Sequence, residues 1–197
     1  MNQLYKRQSL RLAGWNYASP GFYYITICID KNEDGYLFGD IHNGKMYLNK
    51  FGQIVNNELL NTEILRDNVR IHDFVVMPNH LHVIVQITYE IERFAIEQFV
   101  GAWRAMPLRM RHESKRTRHE SNGRQFAKPI ANSLPTIIGA FKSASTREIN
   151  ILRQTPGERV WQRNYYEHII RDYYDFLRIS EYIQNNPKNW EKNEFNK

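Results

Sequence analysis

Apolar and polar residues are arranged in short blocks over the first third of the chain, with turn dipeptides between them. Residues 21–29 are dense in β-branched and aromatic side chains, which is typical of a strand. Asp34-Gly35 and Asn43-Gly44 each precede another short apolar run, and an Asn-Gly pair between such runs favours a hairpin. From about residue 50 to 65, apolar residues recur at helical spacing instead. The pattern predicts a strand, a small hairpin and a helix.

Two further runs rich in β-branched residues cover residues 69–76 and 80–87, and Pro78-Asn79 divides them. This arrangement is typical of two strands joined by a tight turn. Helical spacing returns after Leu134-Pro135 and continues to about residue 153. The middle of the chain therefore predicts a pair of strands and, after an interruption, a second helix.

A short strand at residues 165–170 and a last helix complete the pattern. Asp172 is a suitable N-cap for that helix, and Pro187 stops it. The resulting order, βαββαβ, predicts an α+β fold of the ferredoxin-like type. We expect an antiparallel sheet with helices on one face, plus a C-terminal helix as an additional element.

Residues 90–133, approximately, interrupt this order. Within them, residues 109–128 hold seven Lys or Arg against two Glu. We interpret this stretch as a basic insertion in a single domain that spans residues 1–197, helical in part and then a mobile loop. A solvated run of charge and a DNA-binding arm are both open interpretations.

Composition narrows the class of protein. The net charge is +6 and aromatic residues make up 13% of the chain, a pairing that suits phosphate neutralisation and base stacking in single-stranded nucleic acid. No run of eighteen apolar residues is present, so no membrane span is predicted, and the first residues lack the apolar stretch of a signal peptide. The single cysteine, Cys28, allows no internal disulfide, and we expect it to fill the core. The expected location is the cytoplasm.

The tripeptide His80-Leu81-His82 is the strongest candidate for chemistry. Side chains at i and i+2 of a strand point to the same face, so both imidazoles should project together while Leu81 faces away. Two neutral imidazoles held side by side can bind a divalent metal. The alternative is a pair of ordinary polar residues at the start of an amphipathic strand, one in solvent and one hydrogen-bonded.

Tyr182 and Asn186 lie four residues apart on the last helix and therefore share one face. An Asn carbonyl oxygen can ligate Mg²⁺ or Mn²⁺, and Tyr182 would stand one turn away as a nucleophile. A phenol with a reference pKa near 10 needs a metal or a base close by for that role. The alternative is a half-buried tyrosine of an amphipathic helix. Pro187 also disfavours helical angles at Asn186.

Three blocks carry a family resemblance: residues 77–83 (MPNHLHV), 160–171 (VWQRNYYEHIIR) and 181–187 (EYIQNNP). Together and in this order they resemble the signature blocks of REP-associated tyrosine transposases, which are relatives of the HUH single-tyrosine transposases of bacterial insertion sequences. The similarity covers about residues 11–190 and is weakest over the basic insertion.

The resemblance implies an enzyme that cuts and rejoins single-stranded DNA at hairpin-adjacent, REP-like sequences. It would act without ATP, through a 5′-phosphotyrosine at Tyr182 that leaves a free 3′-OH. His80 and His82 would hold Mg²⁺ or Mn²⁺, and Asn186 stands where the insertion-sequence relatives carry a Gln as third ligand. The implied partner is single-stranded or hairpin DNA in a bacterial nucleoid, bound by a monomer or a homodimer.

Several other residues are candidates for DNA contact by their type, since aromatic rings stack on bases and basic groups bind phosphates. Each also has an ordinary structural interpretation: Trp161 could belong to the core, and His168 could satisfy a backbone carbonyl. The candidates are Lys142, Arg147, Trp161, Gln162, Arg163, Tyr165, Tyr166, His168 and Arg171.

Two other classes of function have some support in the sequence. A non-catalytic single-stranded nucleic-acid-binding protein or repressor derived from a transposase would use the same basic and aromatic residues. A two-histidine phosphoesterase would need paired His-x-Ser/Thr motifs on strands. His112-Glu113-Ser114 and His119-Glu120-Ser121 match formally, but they lie in a polar basic stretch without a strand pattern, so this class is rejected.

Overall fold

The computed structural model describes residues 12, 14–31, 33, 35–88, 130–192 and 195. Its regular elements follow the predicted order, and two small strands form the expected hairpin. They are β1 (Gly21–Cys28), β2 (Gly39–His42), β3 (Lys45–Leu48), α1 (Lys50–Ile64), β4 (Val69–Val76), β5 (His80–Ile87), α2 (Leu134–Arg153), β6 (Tyr166–Ile170), α3 (Tyr173–Asn185) and a 3₁₀ helix (Pro187–Lys192).

The main sheet has the strand order β4-β5-β1-β6, and every neighbouring pair is antiparallel. Helix α1 connects β1 to β4, and the chain between β5 and β6 contains α2, so each crossover leaves one strand between its two ends. This split βαβ arrangement is the ferredoxin-like topology. The predicted fold class is confirmed.

The strands β2 and β3 form a separate two-stranded sheet. Its turn is Asn43-Gly44, with φ of 52° and 70°, the positive values that a two-residue hairpin turn requires. The hairpin predicted from this dipeptide is confirmed.

Successive residues of β1 alternate between the two faces of the sheet. Ile25 and Ile27 belong to a core cluster that α1 and α2 cover. Tyr24 belongs to a second cluster on the other face, where Ile179 and Ile183 of α3 pack. The C-terminal helix therefore covers the face that α1 and α2 leave open.

Local signals explain the ends of the helices. The side chain of Asp172 accepts a hydrogen bond from the backbone N–H of Asp175 at 2.9 Å, as its N-cap assignment predicts. Asn186 keeps helical angles (φ −57°, ψ −45°) although Pro187 follows. The expected distortion is absent because Pro187 itself begins a further helical turn, the 3₁₀ helix, in which its fixed φ is favourable.

Two predictions, the basic insertion and the lack of a membrane span, can be compared with the structure only over the described residues. The basic insertion predicted at about residues 90–133 lies outside the described residues as far as residue 129. In the described ranges, no helix combines the length and apolar character that crossing a membrane would require.

Candidate active site

The two histidines of β5 lie side by side under α3. His80 and His82 project from the same face, and their Nε2 atoms are 3.0 Å apart. Both residues are buried, with exposed fractions of 0% and 1%. The i, i+2 spacing on a strand thus produces the juxtaposition predicted from the sequence.

Burial sets the charge of both rings. It lowers the pKa of His80 to about 3. It also lowers the pKa of His82 well below the usual value, and the neighbouring His80 lowers it further. Both imidazoles are therefore neutral at neutral pH, which is the form that binds metals.

Hydrogen bonds at the far side of each ring fix its orientation. His80 Nδ1 lies 2.8 Å from the side-chain oxygen of Asn79, which can only accept, so Nδ1 carries the proton and Nε2 keeps its lone pair. His82 Nδ1 lies 2.8 Å from the Tyr24 hydroxyl and 2.9 Å from the Thr26 hydroxyl. Such partners orient histidines for metal binding through Nε2.

The donor set fits a divalent ion. Two ligands on adjacent corners of an octahedron are about 1.4 bond lengths apart, which is about 3 Å for metal–nitrogen bonds of about 2.1 Å. The separation of the Nε2 atoms matches this value. Among the described residues, no group of three or more His, Cys, Asp or Glu could hold a metal, so any further ligand from this part of the chain would be of another type.

Tyr182 approaches the histidines from α3. Its ring centroid is 5.3 Å from that of His82 and 6.3 Å from that of Tyr24. The side chain is 45% exposed, so one side of the ring contacts the site while the other is open to solvent. Asn186, one turn further along, is 2% exposed at the helix end. Its service as a third ligand stays a prediction.

A carboxylate that the sequence did not suggest attaches α3 next to Tyr182. Asp73 accepts hydrogen bonds from the hydroxyl of Ser180 and, at 2.9 Å, from the side-chain amide of Gln184. The β4–β5 register shifts between Ile71 and Phe74, and Asp73 lies inside this irregularity. A β-bulge cannot be foreseen from alternation alone, although Ser180 and Gln184, spaced by one turn on α3, offered a weak signal.

A second polar contact attaches the start of α3 to the edge strand. His168 Nε2 lies 2.7 Å from Asp175, whose other oxygen accepts a bond from Arg178 at 2.6 Å. Burial acts to raise the pKa of Asp175, but the bonds from His168 and Arg178 prevail and lower it. His168 therefore binds a carboxylate, rather than the backbone carbonyl considered above.

A cleft of about 580 Å³ opens in front of Tyr182. Tyr24, Thr26 and His82 form part of its wall, and Cys28 lines it too, so the expectation that Cys28 fills the core is wrong. This follows from alternation, because Cys28 is opposite His80 in the β1–β5 register and faces the same side. The predicted DNA contacts that line the cleft are Gln162, Tyr165, Tyr166 and His168.

A second groove, of about 740 Å³, runs between α2 and residues 154–163. Its lining contains Arg147, Arg159 and Arg163, with Glu158 as the opposing charge. Gln162 lines both the groove and the cleft. The two depressions therefore adjoin, and the groove is net basic.

Lys142 and Trp161 both make structural contacts within the fold. The ammonium group of Lys142 donates to the backbone carbonyls of Gln162 and, at 3.1 Å, of Arg163, and burial lowers its pKa to about 8. Trp161 is 4% exposed, and its indole N–H donates to Ser145 at 2.9 Å. Lys142 is thus a brace for the segment between groove and cleft, and Trp161 is a core residue without a free face for stacking.

Two of the remaining predicted DNA contacts, Arg147 and Arg171, lie in different parts of the protein. Arg147 is exposed and pairs with Glu148 at 3.0 Å. Arg171 is exposed and follows β6 at the end opposite Tyr166, whereas the cleft lies at the Tyr166 end. The structure therefore does not bring Arg171 to the cleft.

Comparisons with known proteins place the chain. No protein-family model matches it. A solved REP-associated tyrosine transposase bound to a REP hairpin is similar in structure, with a TM-score of 0.54 and 15% identity over 93% of this chain and 74% of that one, which shows a shared fold. An uncharacterized protein of Haemophilus influenzae is 40% identical over 191 residues, 97% of this chain and 93% of the relative. The chain therefore has a transposase-like fold and belongs to the same family as this Haemophilus influenzae protein.

Proposed function

We propose that this protein cleaves and rejoins single-stranded DNA beside hairpin sequences through a 5′-phosphotyrosine at Tyr182. The observation that carries the proposal is the 5.3 Å approach of the Tyr182 ring to His82, across a cleft that solvent can enter. The sequence resemblance and the transposase-like fold support it. Because both groups come from one chain, the chemistry needs no second copy.

His80 and His82 would hold Mg²⁺ or Mn²⁺ through their neutral Nε2 atoms, with Asn186 as the proposed third ligand. When bound, the ion would withdraw charge from a non-bridging oxygen of the scissile phosphate and orient it. The protein supplies the rigid part of this site, since Asn79, Tyr24 and Thr26 hold the two rings in place.

In the covalent step, the Tyr182 oxygen forms a bond to phosphorus as the bond from phosphorus to the 3′ oxygen breaks. The phenolic proton passes to water, and the departing 3′ oxygen takes up one proton to become a 3′-OH. The new phosphodiester resembles the broken one, so attack by the 3′-OH of a DNA strand reverses the step and transfers the strand.

The adjoining basic groove would hold the phosphates of the DNA next to the cleavage position. Arg147, Arg159 and Arg163 provide the positive charge. Tyr165 and Tyr166 in the cleft wall are the proposed stacking surfaces for unpaired bases. In this arrangement the groove would bind the DNA backbone, whether duplex or single strand, and the cleft would bind the nucleotide that reacts.

A non-catalytic DNA-binding protein is the second candidate, and one contact favours it. The ring of Phe195 packs on His80 with centroids 4.5 Å apart, and the Phe195 carbonyl accepts a bond from the Asn79 amide at 2.7 Å. A side chain in this position covers one histidine, as would be expected in a protein that has stopped using the site.

The test is an incubation of the protein with labelled single-stranded hairpin DNA and Mn²⁺, followed by denaturing electrophoresis. We expect a covalent adduct with the wild type and none with Tyr182→Phe, because phenylalanine has no oxygen to attack phosphorus. His80→Ala should lower adduct formation by at least about a hundredfold, since metal stabilisation of a phosphate contributes several kcal/mol.

The matched control is Tyr174→Phe, which removes a hydroxyl from the same helix at a position that is 82% exposed. It should keep the adduct. DNA binding without any adduct in the wild type would contradict the proposal and favour the binding protein.

A further inference from the structure

We propose that Arg178 binds a backbone phosphate of the DNA, at the end of the cleft that lies away from the basic groove. This inference rests on the proposed function and assigns a task to a residue that the sequence did not suggest. Arg178 lies on α3, four residues before Tyr182, so the two side chains share one face of the helix. The Arg178 side chain is 69% exposed and lines the cleft.

Arg178 gives the cleft its charge. Among the described residues that line the cleft, Arg178 is the only one with a permanent charge, and none is an Asp or a Glu. A DNA strand in the cleft therefore meets one fixed positive charge from this part of the chain. No acidic side chain among the described lining residues repels its phosphates.

The register of the sheet gives the order of residues along the cleft. Gln162, which also lines the groove, donates its backbone N–H to the carbonyl of Cys28 at 3.0 Å. Two residues back along β1, Thr26 is opposite His82. Two residues further back, β1 is opposite His168 of β6. The groove therefore adjoins one end of the cleft, the histidine pair lies further in, and His168 marks the other end.

Asp175 ties Arg178 to the His168 end of the cleft. Its Oδ2 is 2.7 Å from His168 Nε2, and its Oδ1 accepts a bond from Arg178 Nη2 at 2.6 Å. This bond uses one of the five N–H groups of the guanidinium, so others can donate to a phosphate. Asp175 therefore fixes the position of Arg178 without occupying its whole guanidinium, which lowers the entropy cost of holding a ligand.

The spacing of the site fits the repeat of a DNA strand. Two residues of an antiparallel strand span about 6.8 Å, and four residues of a helix span about 6 Å. The first spacing separates His168 from the level of His82, and the second separates Arg178 from Tyr182 along α3. Neighbouring phosphates of a single strand are separated by a similar distance. With the scissile phosphate at Tyr182 and the histidines, the next phosphate away from the groove reaches Arg178.

The first test measures binding in the absence of metal, so that no strand is cleaved. Arg178→Gln removes the charge and keeps a polar side chain. The dissociation constant for labelled hairpin DNA with a single-stranded flank, measured by fluorescence anisotropy at about 0.1 M salt, should rise about tenfold. The slope of log affinity against log salt should become shallower by about 0.7, the value of one phosphate contact on a single strand.

The matched control is Arg66→Gln. Arg66 follows α1, which covers the opposite face of the sheet, and it lines neither the cleft nor the groove. This variant loses the same charge, and its dissociation constant and salt slope should stay close to the wild-type values. An equal loss of affinity in both variants would make net charge responsible and overturn the proposal. Both variants should fold, since the exposed ion pair of Arg178 contributes little to stability.

A second test locates the phosphate. Hairpin DNAs that each carry one uncharged methylphosphonate, at successive positions from the base of the hairpin, are compared in the wild type and in Arg178→Gln. At one position, the substitution should weaken wild-type binding about tenfold and should not weaken the variant further. Once the adduct identifies the cleaved bond, this position should be the neighbouring phosphate. Additive losses at every position would show that Arg178 contacts none of these phosphates, and the proposal would be wrong.

The two proposals can fail separately. At saturating DNA with Mn²⁺, Arg178→Gln should form the adduct at nearly the wild-type rate, because Arg178 holds the neighbouring phosphate and not the reacting one. A slow rate there would overturn this assignment. A wild-type adduct together with unchanged DNA affinity in Arg178→Gln overturns the role of Arg178 and leaves the proposed function intact. DNA binding without an adduct in the wild type overturns the proposed function, and the methylphosphonate comparison then decides on Arg178 by itself.

Discussion

The two faces of the sheet consist of alternate residues from the same strands, yet they differ in chemistry. On the face under α1 and α2, Ile25 and Ile27 are 0% exposed among other apolar side chains. On the face under α3, Thr26 and His82 are almost as deeply buried, at 5% and 1%. The two faces are almost equally buried, but they differ in polarity. Burying polar groups is costly unless they form hydrogen bonds, so the polar face depends on the hydrogen bonds among its side chains.

The difference shows how a small domain can separate stability from chemistry. The apolar face holds the sheet and two helices together, whereas the polar face holds the groups of the proposed reaction in fixed positions. A one-residue slip of β1 would exchange the two sets of side chains and disrupt both faces at once.

The largest effect on stability should come from the apolar face. Ile25→Ala removes a fully buried side chain and leaves a cavity, so the free energy of unfolding should fall by about 2–5 kcal/mol in urea denaturation. The adduct rate per folded molecule should not change. If it fell along with stability in conditions where the variant is still folded, the faces would not be separable in this way.

The polar face should instead determine how stability depends on acid. Burial lowers the pKa of His80 to about 3 from 6.5, so between these values the unfolded chain binds a proton that the folded chain does not. Stability therefore falls as the pH drops below 6.5. In His80→Leu, the slope of unfolding free energy against pH, measured between pH 4 and 6 without metal, should be shallower by about 1.4 kcal/mol per pH unit.

The control for this slope is His42→Leu, a substitution at an exposed histidine of the small hairpin. It should leave the wild-type slope in place. Equal slopes for His80→Leu and the wild type would mean that His80 titrates in the folded chain as it does in the unfolded one.

The smallest effect should be local to α3, which polar contacts hold to the sheet. Asp73→Ala removes the acceptor for Ser180 and Gln184 and should cost about 1–3 kcal/mol. Hydrogen exchange should become faster in α3 and stay unchanged in α1 and α2. Equal acceleration in all three helices would show that α3 unfolds only with the whole domain.

The sequence predicted what depends on local pattern. The order of helices and strands along the chain, the hairpin and the N-cap of α3 follow from periodicity and turn residues. The histidine pair follows from i, i+2 spacing. The sequence did not predict contacts between strands. Tyr24 and Thr26 contact His82 although they are 58 and 56 residues away from it in the sequence. A bulge in β4 brings Asp73 to α3. Lys142 and Trp161 were assigned by residue type, which does not reveal that a basic or aromatic side chain is already used inside the fold.

Asn79, in the turn before β5, uses both ends of its amide. The oxygen fixes the tautomer of His80, and the nitrogen holds the backbone at Phe195 over the same ring. A carboxylate has nearly the same shape as an amide but no N–H to donate. Asn79→Asp would therefore keep the hydrogen bond to His80 and lose the one that holds Phe195 over its ring. Asn at position 79 therefore keeps the His80 imidazole covered by Phe195, whereas Asp would leave it uncovered.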